Sequence, residues 1–138
     1  MIILYYNIMS NHWGSKIWIF FHTLAEKLSD ELFMHNKLLI INLIKDSCIN
    51  LPCPKCSSHA KHLLENADYQ LINSKDDLKI FLMQFHNFVN IKNKKKPFNR
   101  KELKEKYSNI IFKDTVDPFL SVFNLPTFSK SLNTGIKK

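Results

Sequence analysis

The stretch "LPCPKCSSHA", Leu51 to Ala60, closes a segment that is apolar almost throughout, "KLLIINLIKDSCINL" from Lys37 to Leu51. Its two prolines set the local fold. Pro52 ends the apolar segment, because a proline inside a helix loses a hydrogen bond and clashes with the preceding turn. Pro54 falls in the first turn of a second helix, where a missing N–H costs nothing, and that helix runs to about Glu65. The reading is helix, break, helix, with Cys53 and Cys56 at the start of the second.

Outward from this break the helical period recurs. Trp13, Ile17, Phe20, Phe21, Leu24 and Leu28 are spaced by three and four, which predicts an amphipathic helix capped by Ser10 or Asn11. The Lys37–Leu51 segment predicts a helix buried on most sides. Ser74 with Asp77 resembles a capping box and opens "DDLKIFLMQFHNFVNIKN", where Leu78, Phe81, Leu82, Phe85 and Val89 form one stripe. Asn99 with Glu102 caps a short charged helix through about Tyr107, and Asp117-Pro118 starts another short turn. Beyond Leu125 the Ser, Asn, Thr and Lys residues read as a frayed tail. With only 2 glycines in 138 residues, a sheet protein would lack its turns. An all-α four-helix bundle with one or two extra short helices is expected.

Composition bounds the function. The chain is one domain's length, 45% hydrophobic, and its 11 phenylalanines give a core bulk. A net charge of +8 favours an anionic partner: nucleic acid, a membrane surface or a phosphate-bearing cofactor. No stretch approaches the ~20 apolar residues of a membrane span. The N-terminal "MIILYYNIM" lacks a basic region and a cleavage site, so it makes a poor signal peptide, and Met9 serves equally well as a start. The chain reads as soluble and made in the cytosol. Three cysteines do not build a secreted disulfide scaffold.

Cys53 and Cys56 admit three readings. A zinc site would draw on Cys53, Cys56, His59 and His62, but each step of three along a helix advances about 300°. His62 therefore faces away from Cys53, about 13 Å along the axis, whereas zinc ligands converge within about 2.3 Å of one ion. A redox pair suits the position, since the helix dipole and free N–H groups stabilise a thiolate. Two inert buried thiols are the third reading; a thioredoxin-like βαβ context is absent. Elsewhere, Gly14, Trp18 and His22 lie four apart on one helix face, and His86 and Asn90, with Asn87, share another helix. Either histidine alone reads as an ordinary satisfied core residue. Two such helices beside a Cys-x-x-Cys helix read as a lined pocket.

"HWGSKIWIFFH", "LPCPKCSSHA" and "FHNFVNIKNKKKPF", in that order, resemble the Erv/ALR family of FAD-linked sulfhydryl oxidases, in particular the short single-domain members of large cytoplasmic DNA viruses. The resemblance implies a four-helix bundle with a fifth short helix and FAD held non-covalently in its mouth. It places the domain at 12–107, with an N-terminal extension at 1–11 and a partly irregular C-terminal extension at 108–138. Cys56 is then the flavin-proximal cysteine and Cys53 the one that exchanges with substrate. Gly14 and Trp18 lie close to the cofactor; His22, His86, Asn87 and Asn90 supply hydrogen bonds and the pocket edge; Lys95 sits near the pyrophosphate. His59 also matches. Lys16 is the nearest basic residue where cellular members carry an arginine after the glycine, here Ser15. The implied reaction oxidises two thiols to a disulfide and passes the electrons through FAD to oxygen, giving hydrogen peroxide.

The implied partners are a thiol protein (a separate shuttle or a virion protein), molecular oxygen and a second copy in a homodimer, in the host cytoplasm and the virion. No metal and no nucleic acid is implied. Cys48, lone, is expected to be a buried thiol. No tryptophan follows Trp18, so Tyr107 or Phe98 replaces the family's late aromatic contact. The basic stretch "KNKKKPFNRKELKEK" reads as a solvated face, with Lys95 first among lysines reaching the FAD phosphates. The competing functions are a flavin-free thiol carrier using the same cysteines and a basic nucleic-acid-binding protein.

Overall fold

The structure, a computed structural model, describes residues 2–125, with side chains from residue 13 onward. It is all-helical among these residues: α1 Ile2–Lys27, α2 Asp30–His35, α3 Lys37–Ile49, α4 Pro54–Glu65, α5 Lys75–Lys92, α6 Arg100–Tyr107 and α7 Lys113–Val122. A single 3₁₀ turn, Tyr69–Leu71, lies between α4 and α5. Helices α1, α3, α4 and α5 are the four main helices. The tail expected after Leu125 lies outside the described residues.

Local chemistry sets most boundaries. Pro54 opens α4 at its first position. The Ser74 hydroxyl accepts from the Asp77 N–H at 3.1 Å, and the Asp77 carboxylate accepts from the Asn73 N–H at 3.0 Å, closing the α5 box. Asn99 Oδ1 accepts from the Glu102 N–H at 2.8 Å and starts α6.

Four expectations are corrected. Helix α1 begins at Ile2, so Ser10 and Asn11 lie within it rather than at its cap; no glycine or proline interrupts the preceding residues. Helix α2 is additional, capped by the Ser29 hydroxyl, which accepts from the Leu32 N–H. Helix α3 buries one face only: Ile40, Ile41, Ile44 and Cys48 are buried, while Leu38 and Leu39 are 73% and 68% exposed. Helix α7 starts at Lys113, before Pro118, which sits inside it. There the Thr115 N–H donates to the Phe112 carbonyl at 2.9 Å, and the Thr115 hydroxyl donates to the same oxygen at 2.7 Å.

One core joins these helices. Ile17, Phe20 and Phe21 of α1, Phe33 of α2, Ile44 and Cys48 of α3, Leu64 of α4, Leu78 and Leu82 of α5, and Phe119 of α7 pack in a single buried cluster. The most extensive helix pairings are α1 with α7, α1 with α5, and α3 with α4. The N-terminus of α5 is tied back to α2, where the Asp30 carboxylate accepts from the Lys75 N–H at 2.8 Å. No helix described is long and apolar enough to cross a membrane.

Candidate active site

Cys53 and Cys56 are joined in a disulfide, with Cα atoms 5.2 Å apart. Its position follows from the proline break. Cys53 is the N-cap of α4, in extended conformation, and its sulfur accepts from the Cys56 N–H at 3.2 Å, where an oxygen side chain would ordinarily cap. The Ser57 hydroxyl donates to the Ile49 carbonyl at 2.7 Å, lacing the end of α3 to the start of α4. Both cysteines are half-buried. Reduction would leave sulfur at a helix N-terminus, where the dipole and free N–H groups favour a thiolate. His59 lies one turn beyond Cys56 on α4, also half-buried.

Between α1 and α5 lies a buried aromatic stack. The Trp18 indole lies flat on the His86 ring, centroids 4.1 Å apart at 6°. His22 Nε2 and His86 Nδ1 are 2.9 Å apart, a hydrogen bond in which one ring donates to the other. Tyr107 of α6 also stacks on His22, centroids 4.7 Å apart. Burial, then the neighbouring His86 and Lys106, push the His22 pKa down to about 3. Burial, with Lys106 and Lys95, pushes His86 down to about 4. Both rings are therefore neutral near pH 7, and burial pushes the Tyr107 phenol up to about 12.

The stack is bordered by a folded-back strap, residues 94–98. The Asn87 amide donates to the Phe98 carbonyl at 2.8 Å and accepts from the Phe98 N–H at 2.7 Å. The Asn90 carbonyl accepts from the Lys95 N–H at 2.7 Å. Phe98 reaches 5.1 Å from the His86 ring, and the Lys106 ammonium lies 5.1 Å from the Phe98 centroid. Lys95 is exposed on the strap.

Of the residues singled out from sequence, Trp18, His22 and His86 meet directly, and Asn87, Asn90 and Lys95 meet at the strap. Gly14 lies one turn before Trp18, where an added Cβ would meet nothing within 4 Å. Lys16 lies across α1, its ammonium 3.5 Å from the Ser121 hydroxyl of α7, away from the stack. Both candidates for the late aromatic, Tyr107 and Phe98, join the stack. Lys106 was not singled out; its position next to Tyr107 in a capped helix was the available signal. Cys48 is buried, reduced and pushed up to about 12 by burial.

A helical bundle that carries a disulfide at one helix N-terminus and, between α1 and α5, a stack of neutral histidines and large aromatics has the features of a thiol–disulfide redox protein. The chain matches the Erv1 / Alr family over residues 15–108, and it belongs to that family. Among its relatives, an FAD-linked sulfhydryl oxidase of African swine fever virus (isolate Warthog/Namibia/Wart80/1980) is 34% identical over 102 residues, covering 74% of this chain and 85% of that one. The protein of the Pig/Kenya/KEN-50/1950 isolate is equally similar, 34% over 102 residues with the same coverage. A protein of Invertebrate iridescent virus 3, bearing the same oxidase name in provisional form, is 28% identical over 96 residues. That match covers 69% of this chain and 65%, just under two thirds, of the iridescent-virus protein.

Proposed function

We infer that this chain is an FAD-linked sulfhydryl oxidase, taking thiol proteins as substrate and oxygen as the final acceptor. The observation that carries this reading is the Cys53–Cys56 disulfide at the start of α4 in a chain of this family. A substrate thiolate attacks Cys53 Sγ; the Cys53–Cys56 bond breaks and Cys56 leaves as a thiolate at the helix N-terminus. A second substrate thiolate attacks the substrate sulfur of the mixed disulfide and releases Cys53. The substrate is now a disulfide and the cysteine pair a dithiol, so two electrons have entered the protein.

The residues present fit FAD. Trp18, His86 and Phe98 offer ring faces for its flat parts. Lys95 and Lys106 lie near enough to His86 to depress its pKa and supply charge for the pyrophosphate. Open space over Gly14 leaves α1 accessible beside Trp18. When bound, FAD would supply the two-electron chemistry that links the reduced cysteines to oxygen, with hydrogen peroxide as the product. His22 and His86, neutral and hydrogen-bonded, hold the stack in register; by the family likeness, Cys56 would be the cysteine that passes electrons to the cofactor and Cys53 the one that exchanges with substrate.

The α3 surface bearing Leu38 and Leu39 supports a homodimer through that helix, since exposed apolar residues gathered on one element favour association. A separate shuttle or virion protein is the proposed dithiol donor, in the host cytoplasm and the virion. The direct test is Cys56→Ser: oxygen consumption with a dithiol should fall to background while flavin content stays at the wild-type level. Undiminished turnover in this variant would remove Cys56 from the reaction.

A further inference from the structure

The geometry points to Asn87 as a positioning residue that acts through Phe98, holding the 94–98 strap as one wall of the aromatic site. The inference rests on the oxidase reading above and deepens it. Both ends of the Asn87 amide are spent on the backbone of one residue: its nitrogen donates to the Phe98 carbonyl at 2.8 Å, and its oxygen accepts from the Phe98 N–H at 2.7 Å. Paired donor and acceptor bonds to a single residue fix that residue's position as a neighbouring β-strand would.

The rest of the strap is secured in the same manner. Lys94 turns the chain back with a positive φ of 59°. The Asn90 carbonyl then takes the Lys95 N–H at 2.7 Å, while the Asn90 amide donates to the Lys96 carbonyl at 3.4 Å. Pro97 contributes no N–H that needs a partner. Two asparagines one turn apart on α5 thus tie down a segment that is otherwise exposed and rich in lysine. What the strap delivers is the Phe98 ring, 5.1 Å from His86, with Lys106 at 5.1 Å from its centroid. A flat anionic ligand against Trp18 and His86 meets Phe98 and the charges of Lys95 and Lys106 together. Asn87 sets that meeting without itself being the group that touches the ligand.

The test is a double-mutant cycle on the full-length protein, titrated with FAD and followed by quenching of flavin fluorescence. Asn87→Ala and Phe98→Ala should each weaken FAD by about tenfold. The combined variant should lose no more than about tenfold, because both changes cut one path. Losses that multiply toward a hundredfold, or wild-type affinity in Asn87→Ala, overturn the inference. A second readout needs no flavin: hydrogen exchange at the Phe98 amide should quicken by tenfold or more in Asn87→Ala. It should quicken less in Asn87→Asp, which keeps the acceptor and loses the donor. If Asn87→Ala does not fold, Asn87→Asp takes its place in the cycle. If the wild type takes up no FAD, the oxidase reading fails. Exchange then decides the clamp alone, and an unchanged Phe98 rate overturns it.

Discussion

On its α7 side, α1 packs Phe20 face to face with Phe119, centroids 3.9 Å apart, with Phe112 and Phe123 close by. On its α5 side, the same helix packs Trp18 face to face with His86 at 4.1 Å, with His22, Tyr107 and Phe98 around them. The two clusters are alike in size and ring geometry and differ in chemistry. The first is hydrocarbon, with nothing to satisfy. The second buries two imidazoles that must stay neutral and share one hydrogen bond, beneath two lysines. Burying polar rings costs desolvation that a phenylalanine would avoid. Their retention beside an apolar cluster of the same ring geometry is accounted for by the flavin site proposed above rather than by cohesion alone.

The largest effect that would break this contrast is on stability. Phe119→Ala should cost about 3–5 kcal/mol in denaturant unfolding, as for other buried phenylalanines, with FAD affinity unchanged in the folded fraction. Trp18→Ala should do the converse: about 1–3 kcal/mol of lost stacking, read as a tenfold to hundredfold weaker FAD titration. Equal losses of flavin affinity in both variants would erase the distinction between the two sides of α1.

Acid sharpens it further. His22 and His86 have folded pKa values depressed from 6.5 to about 3 and about 4, so the unfolded chain binds more protons between those values. Their contribution is therefore fully present above about pH 6.5 and is lost as pH falls toward their folded pKa values. Each can add up to about 1.4 kcal/mol per pH unit to the slope of stability against pH. Replacing His86 with Gln should flatten that slope between pH 6 and 4, measured by urea midpoints, whereas Phe119→Ala should leave the slope alone.

The smallest expected effect concerns the third cysteine. Cys48 lies five residues before Cys53, yet burial keeps it protonated, while Cys53 and Cys56 sit at an open helix start. Cys48→Ala should cost about 1 kcal/mol, as for loss of a small buried group, and leave turnover intact.

The break at Pro52, the start at Pro54 and the caps at Ser74 and Asn99 were legible because each is written in two or three adjacent residues. Trp18 and His22 were legible from their four-residue spacing on α1, and His86 with Asn90 from the same spacing on α5. Helix α2 was hidden because six residues carry too little periodicity, although Ser29 before two acidic residues was its signature. Pro118 misled the reading of α7, since proline prefers a first turn but here lies within a helix held to α1 by Phe119. The clamp on Phe98 was out of reach: nothing in "HNFVN" says whether an asparagine amide turns toward a ligand or toward backbone eleven residues on. Tertiary contacts decide that.

The most direct measurement of the central claim is the visible absorption spectrum of the purified protein, before and after anaerobic addition of a dithiol. Yellow flavin bands should bleach with the dithiol and return on admitting air, with Cys53 and Cys56 passing the electrons. A colourless protein that refuses added FAD while still cycling its disulfide would contradict that claim and leave a flavin-free thiol carrier in its place.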